Sequence, residues 1–168
     1  MLYKGNLRIF KENLKDISYY LSGSRLYHSL SVSELMEKRI GYLYEVYRYY
    51  LVQAATYQDI GYSKRIPQDT GHHSADGYFY IRGKVHPLTA YLILRHSGAK
   101  NYFEDTLFRG FYNEIEKLAF KEVAESGNVD IDKLEGMVDL LTICDILVNY
   151  EGKSVSSMER LQSKVWYR

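Results

Sequence analysis

Apolar residues recur at intervals of three and four along most of this chain, and that period does most to restrict how it folds. Leu7, Phe10, Leu14, Ile17 and Leu21 line one face of a helix predicted from about Asn6 to Leu21. Ser22-Gly23-Ser24 ends it. Ser31-Val32-Ser33-Glu34 then reads as a capping box, in which the serine accepts from the N3 amide and the glutamate reaches back. Val32, Met36, Ile40, Leu43, Val46, Tyr47, Tyr50 and Ala54 follow at helical spacing as far as Asp59-Ile60-Gly61. This is the longest predicted helix and the expected spine of the fold. The chain has only two prolines, so little interrupts long helices.

Residues 60–86, IGYSKRIPQDTGHHSADGYFYIRGKVH, break the period with Gly, Pro, Asp and His. They read as a long irregular insertion loop, the kind of segment that is often functional. Within it, Tyr78, Tyr80 and Arg82 alternate with Phe79 and Ile81, which also suits a short β-hairpin.

Pro87 fits the first position of a third helix, closed by Ser97-Gly98. Asn101 and Glu104 open a fourth, with Leu107, Phe108, Phe111, Ile115, Leu118 and Val123 inward and Gly127 just past its end. Asp130 and Asp132 cap a fifth that bears Leu134, Met137, Val138, Leu141, Cys144 and Val148 and ends at Gly152. Ser156 and Glu159 cap a short last helix. The expectation is one all-α domain over 1–168, a bundle of five to six helices with the irregular loop between helices 2 and 3.

The lone Cys144 permits no disulfide within the chain and sits on an apolar helix face, as a buried structural thiol does. The N-terminal MLYKGNLRIFKENLK lacks the apolar run of a secretion signal. The most apolar stretch, GMVDLLTICDILV, is cut by Asp139 and Asp145 and is too short and too charged to span a bilayer. A cytoplasmic protein without a membrane is expected.

Catalytic motifs are scarce. There is no phosphate-binding glycine loop, no GxSxG and no CxxC pair. His72 and His73 are adjacent, with Asp69 and Asp76 nearby, but lack HxH or HxxxH spacing and read as part of a polar loop, so neither a metal nor a cofactor is expected. Arg65 and His72 share the spacing of the Arg and His of HEPN-type ribonucleases, where the arginine steadies phosphate and the histidine moves a proton. Pro67 and Gly71 lie between them and disturb that match.

Charge and rings point elsewhere. The net charge is +1, yet residues 1–100 carry 14 Lys and Arg against 8 Asp and Glu, while residues 101–168 carry 8 against 13. Such asymmetry suits a polyanion on one side and a basic protein neighbour on the other. Tyrosine supplies 18 of the aromatic residues. Lys64, Arg65, Arg82 and Lys84 interleave with Tyr78 and Tyr80, as in surfaces that attract phosphates and stack unpaired bases. In GYLYEVYRYYL, residues 41–51, a helix anchored at Ser31 puts Tyr47 and Tyr50 in the core and Tyr44 on one border. Tyr42 and Tyr49 then fall on the other border beside Lys38.

The segment LFRGFYNEIEKL, residues 107–118, precedes the leucine-rich helix LEGMVDLLTICDILVNYEGKS and the short helix SMERLQSKV. This order resembles the small helical subunit of type III CRISPR–Cas effector complexes. Arg109, Phe111, Tyr112 and Glu114 match that family's first element. Leu140, Leu141 and Tyr150, with Lys153 beyond, match its second. The resemblance covers the C-terminal part alone. It implies a non-catalytic subunit of an antiviral ribonucleoprotein complex that stacks in several copies and contacts RNA or single-stranded nucleic acid through basic residues. Expected partners are that nucleic acid, neighbouring subunits and further copies of the chain. Two alternatives stand beside it: a viral or archaeal structural protein with tyrosine-rich contacts, and a small HEPN-like ribonuclease.

Overall fold

The structure, a computed structural model, describes residues 13–97, 106–149 and 153, with side chains in the last long helix but one described from Arg109 onward. The described residues form seven α-helices: α1 (13–20), α2 (Gly23–Arg39), α3 (Arg48–Tyr57), α4 (His73–Ile81), α5 (Pro87–Arg95), α6 (Thr106–Glu125) and α7 (Leu134–Ile146). Short 3₁₀ turns at Tyr42–Tyr47, Ile60–Tyr62 and Ile131–Lys133 join some of them. Among the described residues there is no strand, so the all-α expectation holds. No described helix is long and apolar enough to cross a membrane.

The core forms around α5. Every residue from Leu88 to Leu94 is buried, the mark of a helix that is covered on all sides. It packs against α3, α4, α6 and α7. Burying each of Leu88, Leu92, Ile93 and Leu94 is worth roughly 1.5–3 kcal/mol relative to exposure. The helix starts as the sequence suggests, at Pro87, and His86 caps it by accepting from the Leu88 amide at 3.1 Å.

The predicted spine is not one helix. Ser31 is no cap: it lies inside α2, which begins a full two turns earlier because His28 and Ser29 extend the buried face of Val32 and Met36 upstream. The chain breaks at Ile40-Gly41 and tightens into the 3₁₀ turn before α3 starts at Arg48. Arg48 holds this break closed, donating to Glu45 at 2.9 and 2.7 Å and to Glu37 at 2.8 Å. The turn rotates the predicted face. Val46 and Leu43, expected inside, are 78% and 46% exposed, while Tyr47 is buried and its hydroxyl accepts from the Asp130 amide at 2.9 Å.

The expected loop 60–86 is largely structured. Its centre is α4, not a hairpin, and Ala75, Tyr78 and Ile81 are buried. Asp76 accepts from the amide and hydroxyl of Thr70 at 2.8 and 2.9 Å, which folds the preceding loop onto the helix start. In α6 Ile115 and Val123 face inward as expected, but Tyr112 and Ala119 are buried in place of Phe111 and Leu118. Tyr112 is buried and donates to the Leu94 carbonyl at 2.7 Å, whereas Phe111 is 47% exposed. Gly127 does follow α6 with φ of 73°, and Asp130 does cap the 3₁₀ turn before α7. Asn6 to Glu12, Asn101, Glu104, Tyr150 and the last expected helix lie outside the described residues.

Candidate metal centre

Five polar side chains from distant parts of the chain converge between helix ends. Asp59 follows α3, His73 opens α4, His96 follows α5, His28 lies within α2 and Asp145 in the last turn of α7. One ligand atom from each of Asp59, His73 and His96 lies within 4.8 Å of the others. The two imidazole Nε2 atoms of His73 and His96 are 3.3 Å apart. Two nitrogens bound at about 2.1 Å to one tetrahedral ion would lie about 3.4 Å apart. Asp59 Oδ1 is 3.9 Å from the first and 4.0 Å from the second, so a closure of about half an ångström completes a three-donor face.

The second nitrogen of His96 fits the same reading. Its Nδ1 lies 2.7 Å from the Ile93 carbonyl, to which it donates, leaving the Nε2 lone pair toward the cluster. Burial and the neighbouring His96 and His72 rings push the pKa of His73 far below its usual value, so its imidazole is neutral, the form that binds metals. Burial also raises the carboxyl pKa of Asp59, against the pull of His96, His28 and Arg25. A divalent cation would relieve that cost by neutralising the carboxylate.

Oδ2 of Asp59 faces the other way, 3.2 Å from Arg25 and 3.9 Å from His28. His28 bridges Asp145 Oδ1 at 2.8 Å and the Asn149 carbonyl at 3.1 Å. Burial opposes its charged form, but the Asp145 hydrogen bond and the Asp59 charge prevail and raise its pKa. Gln58 is fully buried beside them and donates to Asp145 at 3.1 Å, while its Oε1 has no partner. A buried acceptor of this kind is normally satisfied by a donor such as an ordered water.

Local backbone makes the approach feasible. A Cβ on Gly61 would fall 1.7 Å from the His73 carbonyl oxygen, so only glycine lets the turn after Asp59 touch the start of α4. Tyr62 then stacks on His73, with ring centres 4.2 Å apart at 12°, and the Arg25 guanidinium sits 3.7 Å above Tyr62.

The residues nominated from sequence lie elsewhere. Lys64, Arg65 and Lys84 are exposed; Arg65 lies over Tyr19 at 4.4 Å and Lys84 over Tyr80 at 3.3 Å. Arg82 donates to Glu122 at 2.7 Å, and Tyr78, nominated with it, is core. Lys38 pairs with Glu34 at 2.6 Å. Tyr42 is 95% exposed and Tyr49 44%, but the break at Ile40-Gly41 separates Lys38 from both, so they do not share one helical border. Arg109 and Lys153 are exposed. His72 precedes α4 without a side-chain cap bond and contacts the Ser74 hydroxyl at 2.9 Å, while Arg65 covers Tyr19, so the two have different partners.

Sequence reasoning missed Asp59, His28, His96 and Asp145. His73 was read as loop because its partners lie at sequence separations that no short motif spans. The one available signal was the placement of Asp59 and His96 at the ends of apolar segments. Comparison with known proteins returns no match to a family model, a curated protein or a solved structure.

Proposed function

We propose that this chain is a metal-dependent hydrolase of phosphate esters, with a divalent first-row transition ion held by Asp59, His73 and His96. The observation that carries this reading is the 3.3 Å approach of two imidazole Nε2 atoms beside a buried carboxylate. Mixed nitrogen and oxygen donors favour zinc, manganese or iron over calcium. Such an ion supplies a water of lowered pKa and polarises a phosphoryl oxygen.

The remaining groups fit the same task. Arg25, one-third exposed beside Asp59, offers a fixed cation for a phosphoryl oxygen. Gln58 Oε1 accepts from a water and orients it. His28, held between Asp145 and the Asn149 carbonyl, keeps a proton at Nε2 within the same cluster.

The test is direct. Chelator-treated protein is titrated with Zn²⁺ or Mn²⁺, its metal content is measured by mass spectrometry, and hydrolysis of bis(p-nitrophenyl) phosphate is followed. One ion per chain with metal-dependent turnover is the expected result. An unchanged apo protein under excess metal sinks the reading.

A further inference from the structure

A second feature adjoins this centre. Ser63, one residue past Tyr62, donates to the Tyr20 carbonyl at 2.8 Å and accepts from the Arg65 amide at 3.2 Å. The loop is thereby pinned along α1. Tyr19 and Tyr20 meet edge to face at 5.1 Å, and Tyr20 meets Tyr80 of α4 at 5.4 Å. The hydroxyls of Tyr20 and Tyr80 share a hydrogen bond. Tyr62 stands beside the metal cluster, Tyr19, Tyr20 and Tyr80 form a separate ring cluster, and the Ser63 bond to the Tyr20 carbonyl makes them one row of rings in two parts.

Each end of this row and its centre carries a cation: Arg25 over Tyr62, Arg65 over Tyr19 and Lys84 over Tyr80. The fourth such pair among the described residues, Arg95 with Tyr91, lies elsewhere. Significant cation–ring pairs occur roughly once per 70–80 residues, so three on one face is a concentration. Tyr62 is packed between His73 and Arg25, but packing does not explain the pair at Tyr19, whose ring is 59% exposed. Exposed rings beside cations, spaced along a continuous surface, are what a strand of unpaired bases and phosphates needs.

We infer that this face binds single-stranded nucleic acid and leads its backbone to the Asp59–His73–His96 centre, which makes a phosphodiester the substrate. The substrate assignment rests on the proposed metal site; the binding face does not. Charge complementarity selects the occupant, because Lys64 adds a further exposed cation on the same loop. The rings supply stacking to bases of any sequence.

Fluorescence anisotropy of fluorescein-labelled single-stranded RNA and DNA, with chelator-treated full chain over a salt series, tests it. Wild type binds with an affinity that falls as salt rises. Tyr19→Ala with Arg65→Ala weakens binding about tenfold, the loss of roughly one stacked base. Lys64→Glu with Arg65→Glu, both at exposed positions, gives a second variant that keeps the core intact. His96→Ala loses metal yet keeps oligonucleotide affinity, so failure of the metal site and failure of this face are distinguishable. Absence of salt-dependent binding, equal binding of duplex and single strand, or unchanged affinity in both double variants overturns the proposal.

Discussion

His73 and His96 stand 23 residues apart on different helices, yet their Nε2 atoms meet at 3.3 Å. Neither is held there by the other, because at most one hydrogen bond links the two rings. α4 and α5 deliver them: both helices bury apolar faces against each other, and the histidines sit where the first begins and the second ends.

Metal binding should therefore be visible as stability. At a metal concentration of 100 Kd the folded state gains about 2.7 kcal/mol, or a Tm rise of about 5–10 °C. Asp59→Asn and His96→Ala should abolish that rise in differential scanning fluorimetry. Gln58→Leu, which removes an outer contact and no proposed ligand, should weaken metal affinity about 10- to 100-fold.

Two glycines should respond to alanine in opposite senses. Gly61→Ala places a methyl against the His73 backbone, and the strain should cost about 1–3 kcal/mol and displace His73 from the cluster. Gly110 lies inside α6 with open space around it, so Gly110→Ala should stabilise by about 0.5–1 kcal/mol. Urea titrations read both, and metal content reads the first.

The register of α6 is open to the same kind of test. Tyr112→Phe should cost about 1 kcal/mol, because the Leu94 carbonyl loses its buried donor. Tyr112→Ala should cost about 3–5 kcal/mol. Phe111→Ala should cost less than Tyr112→Ala, since nearly half of that ring faces solvent. A larger loss at Phe111 than at Tyr112 would restore the face predicted from periodicity.

His86 should make stability depend on pH in a defined direction. Its Nδ1 accepts from the Leu88 amide and its ring stacks on Tyr50 at 4.2 Å. Burial lowers its pKa, so folding favours the neutral ring. The unfolded chain then binds the proton first, and this contribution is present above the unfolded pKa of about 6.5 and lost as pH falls below it toward the folded value. His86→Asn keeps a cap acceptor that does not titrate. The difference in stability between wild type and the variant should shrink as pH falls from 7 to 5, measured by denaturant unfolding.

Cys144 should stay unreactive while the fold is intact. It is fully buried, and burial pushes its thiol up to about 11. Alkylation at neutral pH should proceed only through unfolding, and a fast native reaction would contradict the packing of α7.

By itself the sequence determined the helical class, the start of α5 at Pro87, the cap at Asp130, the glycine after α6 and the burial of Cys144. Each depends on residues within a turn or two of one another, where periodicity and capping chemistry act. Tertiary structure alone decided the break at Ile40-Gly41, which needs Arg48 to reach back to Glu37, and the helix α4 inside an apparently irregular segment. It decided the register of α6, where the Leu94 carbonyl selects Tyr112 over Phe111. It also decided the site: Asp59, His73 and His96 form no local pattern, and only the packing of helices around α5 brings their donor atoms within about 4 Å of one another.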